Sequence, residues 1–302
     1  MHDSAHGAKP AHRVSSRRAP RHLGGVVVTQ RILVAGPVDD PCLALLVHEA
    51  ERSGYGIVDA RANTSGARPF RWSVQDGVAL LEGRPLEANA AFVRTDAPTV
   101  RNRPSEGQSL AEMLTDWALA HPSVALPNRF QSRIAASRPA TLSVARACGL
   151  RIQKTDLSNE CPSAHEAAPV SSNRGEPRNL SELRVYLAGD DTLAFSIEAP
   201  APEGRVERGC LIAPVPVPLP LLDPIHSVGR ALGIDYGCAT FRSCPRTGEL
   251  LFLGIDPSPN FERCDRLSGG AICRAILRAF LDPPSAGRKT DRPSATGDRD
   301  LV

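Results

Sequence analysis

The sequence contains no run of about 18 apolar residues, which is the length that an α-helix needs to cross a bilayer. The first residues also lack the apolar stretch of a secretory signal. No two of the eight cysteines are spaced as Cys-x-x-Cys, so neither a structural zinc site nor a thiol redox motif is indicated. Because scattered, reduced thiols are typical of the cytoplasm, we expect a cytoplasmic protein without membrane contact.

Several motifs with a known chemistry are missing too. The chain has no Gly-x-Ser-x-Gly elbow, no Walker loop and no Gly-x-Gly-x-x-Gly fingerprint. His48, His121, His165 and His226 lie in unrelated sequence contexts, so no Ser–His–Asp or Cys–His constellation is indicated. These absences exclude the familiar hydrolase and P-loop chemistries as starting hypotheses.

The charge is concentrated at the N-terminus. The chain of 302 residues has a net charge of +3, and residues 1–25 hold five Lys and Arg side chains against a single Asp. We predict a disordered basic arm over residues 1–30 and a disordered, Pro- and Ser-rich tail over residues 283–302. A basic arm is able to contact nucleic acid, but we prefer a start codon assigned too early, with the true start near residues 26–28. Nucleic acid is therefore not the expected partner.

Residues 31–128 alternate between apolar runs and helical patterns. Residues 31–35 form an apolar run closed by Gly36 and Pro37, and residues 56–60 form a second run, both typical of buried strands. Between them the apolar side chains recur at helical spacing behind a capping Asp39 or Asp40. This order predicts a parallel α/β lobe.

The same lobe is predicted to hold three further features. A hairpin is indicated around residues 75–77, and a helix over residues 110–118 carries Trp117 on its apolar face. Residues 91–94 and 123–126 are predicted to be strands.

Two later stretches are the most informative. Residues 232–261, LGIDYGCATFRSCPRTGELLFLGIDPSPNF, read as a helix end, a strand, a Thr-Gly turn, a second strand and a Pro-rich loop. Residues 127–156 contain an Asn, a basic residue before a short helix, and then Ala-x-x-x-Gly-Leu.

Together these stretches resemble the ATP-grasp ligases, in particular the branch that modifies peptides and ribosomal protein tails. The resemblance spans about residues 31–281. It implies an α/β protein with an N-terminal parallel α/β lobe over residues 31–128, followed by an incomplete ATP-grasp-like α+β domain over residues 129–282. In the ligases the corresponding lobe shapes the substrate cleft and in some members binds a leader peptide. The resemblance therefore implies a peptide or protein partner, and it leaves open a complete ATP-grasp ligase as a second partner and a homo-oligomer.

The resemblance also implies ATP and Mg²⁺ as cofactors, but the matching residues depart from the family pattern. In the family three polar side chains on the two strands hold the magnesium ions. The positions that match them here are Thr240, Gly254 and Asp256, so one carboxylate remains as a candidate metal and cofactor ligand. A lone carboxylate is able to anchor one ion, although Asp-Pro is equally typical of a plain turn. A phosphate-binding lysine of the family corresponds to Arg138, which is either a phosphate contact or a solvated helix start.

Two other arginines match the family and are our candidate catalytic residues. Arg184 precedes Val-Tyr in a hairpin predicted over residues 183–197, and Arg208 matches an arginine that contacts substrate or phosphate, unless it is an ordinary surface arginine. Residues 156–182 are polar and contain no lysine, so we predict a loop where the family has a small subdomain with a flap and an adenine hinge. We therefore predict a peptide-modifying ATP-grasp homologue with lost or weak ligase activity. The alternative is an active ligase with a reorganised nucleotide site.

Overall fold

The computed structural model of the protein describes residues 30–62, 68–94, 110–152, 179–200, 210–243 and 247–282. Within these ranges the chain forms three β-sheets and six α-helices. None of these helices has the length and apolar composition that crossing a bilayer requires. The predicted arm up to residue 29, the predicted tail over residues 283–302 and residues 156–178 of the predicted loop lie outside the described residues.

The first sheet is parallel and has three strands. They are β1 (Arg31–Pro37), β2 (Gly56–Ala62) and β6 (Ala90–Val93), in the order β2-β1-β6. Helix α1 (Pro41–Arg52) connects β1 to β2, and the Asp40 side chain caps it by accepting hydrogen bonds from the backbone N–H groups of Cys42 and Leu43. Helix α2 (Leu110–Ala120) contacts β1 and β6. The predicted parallel α/β lobe is thus confirmed.

A small antiparallel sheet extends this lobe. It contains β3 (Phe70–Ser73), β4 (Val78–Leu81) and the two-residue β5 (Arg84–Pro85), so the predicted hairpin gains a third, short strand. The strand predicted over residues 123–126 is wrong. In that segment Ala125 alone makes a β-bridge, to Ala90, because the chain crosses the edge of the parallel sheet and then turns away.

The second large sheet is antiparallel. Its strands are β7 (Asn179–Ala188), β8 (Asp191–Pro200), β9 (Leu211–Val215), β10 (Tyr236–Ser243) and β11 (Leu250–Asp256), in the order β11-β10-β7-β8-β9. Strand β7 begins four residues before the predicted hairpin, so the predicted loop is wrong over residues 179–182. Three of those four residues are polar, but the segment continues the ladder to β8 as far as the Asn179–Pro200 pair.

Helices cover both faces of the antiparallel sheet. Helices α3 (Arg138–Ala147) and α4 (Leu219–Leu232) pack on the face that carries Val185 and Phe241. Helices α5 (Glu262–Leu267) and α6 (Ala271–Leu281) pack on the other face, where Tyr186 and Cys238 share a hydrophobic core with residues of β1, β6 and α1. One core therefore joins the two predicted lobes, and the boundary after residue 128 stays a prediction.

Candidate functional site

The loop that follows β11 lies where the parallel lobe meets the antiparallel sheet. We call residues 256–260 the DPSPN loop, since it begins with the exposed Asp256 at the end of β11. The Asp256 Oδ1 atom accepts a hydrogen bond from the backbone N–H of Ser258 at 2.8 Å, which closes an Asx turn. The second carboxylate oxygen has no hydrogen-bond partner among the described residues. Asp256 is therefore a turn residue that still offers one oxygen to a ligand.

A buried ion pair fixes this loop to the parallel lobe. Arg94, at the end of β6, donates from Nε to the Oδ2 atom of Asp40 at 2.8 Å and from Nη1 to the carbonyl of Pro259 at 2.8 Å. Both charged side chains are buried. Burial alone would lower the pKa of Arg94, but Tyr236 and Asp40 outweigh it and raise the pKa above its ordinary value, so the guanidinium is cationic. One cation thus ties together the end of β6, the N-terminus of α1 and the DPSPN loop.

Asn128 fixes the same loop from another side. Its Nδ2 atom donates to the carbonyls of Tyr236 at 2.8 Å and Pro257 at 3.0 Å. Its Oδ1 atom accepts from the backbone N–H groups of Asp235 and Tyr236, both at 3.0 Å. The backbone of Asn128 is left-handed, with φ of 57°, a conformation that Asn tolerates better than most residues. The Asn of the predicted motif therefore joins the start of β10 to the DPSPN loop.

Tyr186 and Cys42 hold the far end of the loop. The Tyr186 hydroxyl donates to the carbonyl of Asn260 at 3.0 Å. The Cys42 thiol donates to the Asn260 side chain and accepts from the backbone N–H of Phe261, both at 3.4 Å. Burial raises the pKa of the Cys42 thiol, which therefore packs as a neutral group.

An open cleft of about 660 Å³ lies beside these anchors, within the range of ligand sites. The cleft is lined by a face of α2 with side chains at helical spacing and by the turn of Pro257 and Ser258. The lining also includes Phe92 and Tyr236, whose ring centroids lie 5.2 Å apart in an edge-to-face contact. The lining residues from α2 are Glu112, Thr115, Asp116 and Leu119. The cleft therefore offers both apolar and polar contacts to a ligand.

Three of the residues that match the ATP-grasp family pattern lie side by side on one face of the antiparallel sheet. Arg184 on β7 lies opposite Thr240 on β10, which lies opposite Gly254 on β11. Directly opposed residues place their side chains on the same side of a sheet. A Cβ atom at Gly254 would meet no heavy atom within 4 Å, so the space above this position is open.

Arg184 is the cation of this face. Burial lowers its pKa, but the neighbouring Tyr186 and Cys238 outweigh that effect and raise the pKa above its ordinary value. Among the residues that the structure describes, no carboxylate lies within ion-pair distance of its guanidinium. The face therefore presents a partly buried positive charge beside the hydroxyl of Thr240.

The structure brings together two of the four predicted site residues. Arg184 and Asp256 lie on one face of the sheet, and both act on the Cys238 thiol between them, whose pKa is raised by burial. Arg138 is exposed in the first turn of α3, whose apolar side chains pack on the opposite face of the sheet, so it does not join them. Arg208 lies outside the described residues. Their assignment as catalytic, cofactor and metal residues stays a prediction.

The donor set for a metal ion is small. Within the described ranges, no three His, Cys, Asp or Glu side chains are grouped so that they could hold an ion. Sequence reasoning missed Arg94 and Tyr186 as organising residues. For Arg94 a signal existed, because it ends a strand of a parallel sheet, where ligand sites gather. For Tyr186, inside a buried strand, there was none.

No family model and no curated protein sequence matches the chain. Solved structures do match its fold. The ATP-grasp ligase PsnB complexed with minimal precursor superimposes with a TM-score of 0.62 at 15% identity, over 83% of this chain and 100% of that one. The macrocyclase MdnC from Microcystis aeruginosa MRC, bound with precursor peptide MdnA, gives 0.61 at 15% identity, over 84% and 100%.

A third match is the RiPP-associated ATP-grasp ligase of Chryseobacterium gregarium in complex with ADP and a leader and core peptide. Its TM-score is 0.65 at 15% identity, over 84% of this chain and 97% of that one. The chain thus has the fold of the ATP-grasp ligases, and the predicted resemblance to the peptide-modifying branch is confirmed for the fold. A fold does not fix an activity, which must be argued from the site.

Proposed function

We propose that this chain is an ATP-grasp homologue of the peptide-modifying type that binds a peptide in its cleft and has weak or lost ligase activity. The observation that supports this proposal is the paired register of Arg184, Thr240 and Gly254. Thr240 and Gly254 are two of the three positions that match the magnesium ligands of the ATP-grasp ligases, and neither carries a carboxylate. Asp256 is the one carboxylate at these three positions.

The chemistry explains why this matters. Mg²⁺ is a hard cation that takes oxygen ligands in octahedral geometry, usually one or two carboxylates together with phosphate oxygens and water. Asp256 with its one unpartnered oxygen fits a single, weakly bound ion better than a pair of ions on a triphosphate. Transfer of a phosphoryl group depends on charge stabilisation in the transition state, and each removed donor typically raises the activation barrier by about 3 kcal/mol. Two missing ligands would therefore leave little catalysis.

Peptide binding is supported by the other half of the site. Arg94 and Asn128 each donate one hydrogen bond to the DPSPN loop, at the carbonyls of Pro259 and Pro257. Their other four hydrogen bonds reach Asp40 and the start of β10, so the cleft is built on a fixed frame. The PsnB, MdnC and Chryseobacterium gregarium structures that share the fold contain a precursor or a leader and core peptide. We infer that the ligand is a peptide and that the partner is a complete ATP-grasp ligase, which would supply the ATP chemistry. We also infer a location in the cytoplasm, where free thiols stay reduced.

The test is a thermal unfolding titration with MgATP on the wild-type chain and on a variant with restored carboxylates, Thr240→Asp/Gly254→Glu. Gly254 has room for the new side chain, and its φ is not in the left-handed region. We expect no shift for the wild type. A variant that regains the site should gain about 2.7 kcal/mol at a hundred times its dissociation constant, a shift of about 5–11 °C.

The matched control is Thr240→Asn/Gly254→Gln, which has the same shape without the charges. It should respond to MgATP like the wild type. A clear, magnesium-dependent stabilisation of the wild-type chain would contradict the proposal, because it would mean that the present residues suffice for nucleotide binding.

A second candidate function is an active ligase with a reorganised site that uses Arg138, Arg184, Arg208 and Asp256. The observation that favours it is the partly buried Arg184, which has no carboxylate partner among the described residues and could bind a phosphate oxygen. It predicts ADP release in the presence of a peptide encoded in a neighbouring reading frame. Asp256→Ala should abolish that release, whereas Asp223→Ala, on the exposed side of α4, should not.

A further inference from the structure

We propose that the free edge of strand β6 at Val93 binds the ligand peptide as an added β-strand, through hydrogen bonds between the two backbones. This inference rests on the proposed peptide-binding function, and it names the position and the mode by which the cleft recognises its ligand. The occupant is an extended peptide segment that is held by its main chain.

Strand β6 is fully paired on one side and only partly paired on the other. Towards β1 the ladder runs along the whole strand, and the Arg94 N–H continues it by donating to the carbonyl of Ala35 at 3.0 Å. On the outer side the Ala91 N–H donates to the carbonyl of Ala125 at 2.8 Å, in an isolated parallel bridge. Successive residues of a strand point their backbone groups to opposite sides, so the next residue that faces outward is Val93.

Pro127 ends the pairing at this outer edge. In the register of the bridge, the residue two positions beyond Ala125 would donate its N–H to the carbonyl of Ala91. That residue is Pro127, which has no N–H, so the ladder stops there. Among the residues that the structure describes, none forms a hydrogen bond with the N–H or the carbonyl of Val93. Val93 thus presents an unpaired donor and an unpaired acceptor at the edge of the sheet, and it lines the cleft together with Pro127.

Both faces of the sheet are covered beside this edge. The Val93 side chain packs against the hydrophobic cluster of one face, which includes Leu114 and Trp117 of α2. Phe92 belongs to the cluster of the other face, where its ring contacts Tyr236. A ligand that reaches the Val93 backbone must therefore approach in the plane of the sheet, as an added β-strand does.

The two unpaired groups of Val93 match a peptide backbone. In an antiparallel pair of strands, one residue exchanges both of its backbone hydrogen bonds with the residue opposite. A single residue of an extended peptide would therefore satisfy the N–H and the carbonyl of Val93 together. Free strand edges are the surfaces at which extended peptides add to a sheet, with affinity from the main chain and selectivity from alternate side chains. Hydrogen-bond complementarity thus identifies the occupant.

The first experiment follows amide hydrogen exchange by NMR in the full chain, with and without a peptide selected from a phage-displayed random library. The N–H groups of Ala91 and Arg94 are internal controls, because both are hydrogen-bonded in the structure. In the free protein we expect the Val93 N–H to exchange faster than both controls, and saturating peptide should slow it about 10-fold or more. Slow exchange of Val93 without peptide would overturn the inference, since the chain itself would then cover the edge. Exchange that bound peptide leaves unchanged would overturn it as well.

The second experiment measures the affinity of the selected peptide by fluorescence polarisation for the wild type and three variants. Val93→Pro removes the outward N–H, whereas the matched control Val93→Ala also loses the branched side chain but keeps the N–H. Proline is tolerated in an edge strand when its missing N–H faces outward, and urea unfolding of both variants checks that the fold is kept. Thr115→Trp fills the cleft from α2 and tests peptide binding itself.

We expect Val93→Pro to bind the peptide about 5- to 100-fold more weakly than Val93→Ala, because the peptide carbonyl opposite Val93 loses its donor. Equal binding to these two variants, with loss in Thr115→Trp, would refute the inference and leave the peptide cleft intact. A library that yields no binder, or equal binding to all four proteins, would refute the inference and the proposed peptide binding together. If Val93→Pro does not fold, the exchange experiment alone decides.

Discussion

Replacing Arg94 with Met should destabilise the chain strongly, because it leaves the Asp40 carboxylate buried without its counter-charge. The side chains of Arg94 and Asp40 are 6% and 4% exposed, and their Nε and Oδ2 atoms are 2.8 Å apart. Breaking a buried pair by removing one partner typically costs about 3–5 kcal/mol. The cost here belongs in that range because the same arginine also donates to the carbonyl of Pro259.

The assay is urea unfolding of the two single variants and the double variant. Asp40→Asn is the suitable partner, since Asn caps a helix about as well as Asp and so preserves the N-terminus of α1. We expect the double variant to be more stable than Arg94→Met alone by about 2 kcal/mol or more, because the orphaned charge is removed. A loss below about 1 kcal/mol for Arg94→Met, or strictly additive losses, would refute the buried-pair reasoning.

Other variants test the remaining frame. Gly233→Ala and Gly248→Ala both place Ala at a φ near 70°, which costs about 1–2 kcal/mol of stability. Because a Cβ atom meets a carbonyl at Gly233 and nothing at Gly248, urea unfolding should show the larger loss of stability for Gly233→Ala. Equal losses would contradict the close approach. Asn128→Gly and Asn128→Ala both lose the side-chain hydrogen bonds, but only Gly adopts the left-handed backbone of this position without strain. Asn128→Ala should therefore be less stable than Asn128→Gly by about 1–2 kcal/mol in urea unfolding. The reverse order would refute the backbone argument. The hydrogen bond to Arg52 lowers the pKa of Glu49, so its contribution to stability is complete above about pH 4.3 and is lost as the pH falls through the lower folded pKa. Glu49→Gln should therefore reduce the loss of stability at acidic pH in a stability–pH profile. An unchanged acidic part of the profile would contradict this role of Glu49.

Local patterns predicted the parts of the fold in which each residue's environment follows from its neighbours in sequence. Strand β1, helix α1 and strand β2 have uniform apolar runs or helical spacing, and they form as expected. The start of β7 was missed for the opposite reason. Residues 179–182 look like a loop, and they are a strand because β8 supplies their hydrogen-bond partners.

The site could be predicted only in part. The resemblance singled out Asp256 and Arg184, and the two share a sheet face because β10 pairs with both of their strands in this register. Alternation along a strand shows which residues share a face, but it does not show which strands pair. The Arg94–Asp40 pair joins residues 54 positions apart, and no local pattern encodes such a contact. Arg138 was grouped with them by its motif, but α3 packs on the other face of the sheet.

Equilibrium dialysis of labelled ATP with Mg²⁺ against the full wild-type chain measures directly whether this protein still binds a triphosphate. With one carboxylate at the three matching positions, we expect no saturable ATP binding at concentrations up to about 1 mM. A dissociation constant of about 1 mM corresponds to a binding free energy of only ~4.1 kcal/mol, so the expected binding is weaker than that. Saturable binding in the micromolar range, with two Mg²⁺ ions bound per chain, would contradict it.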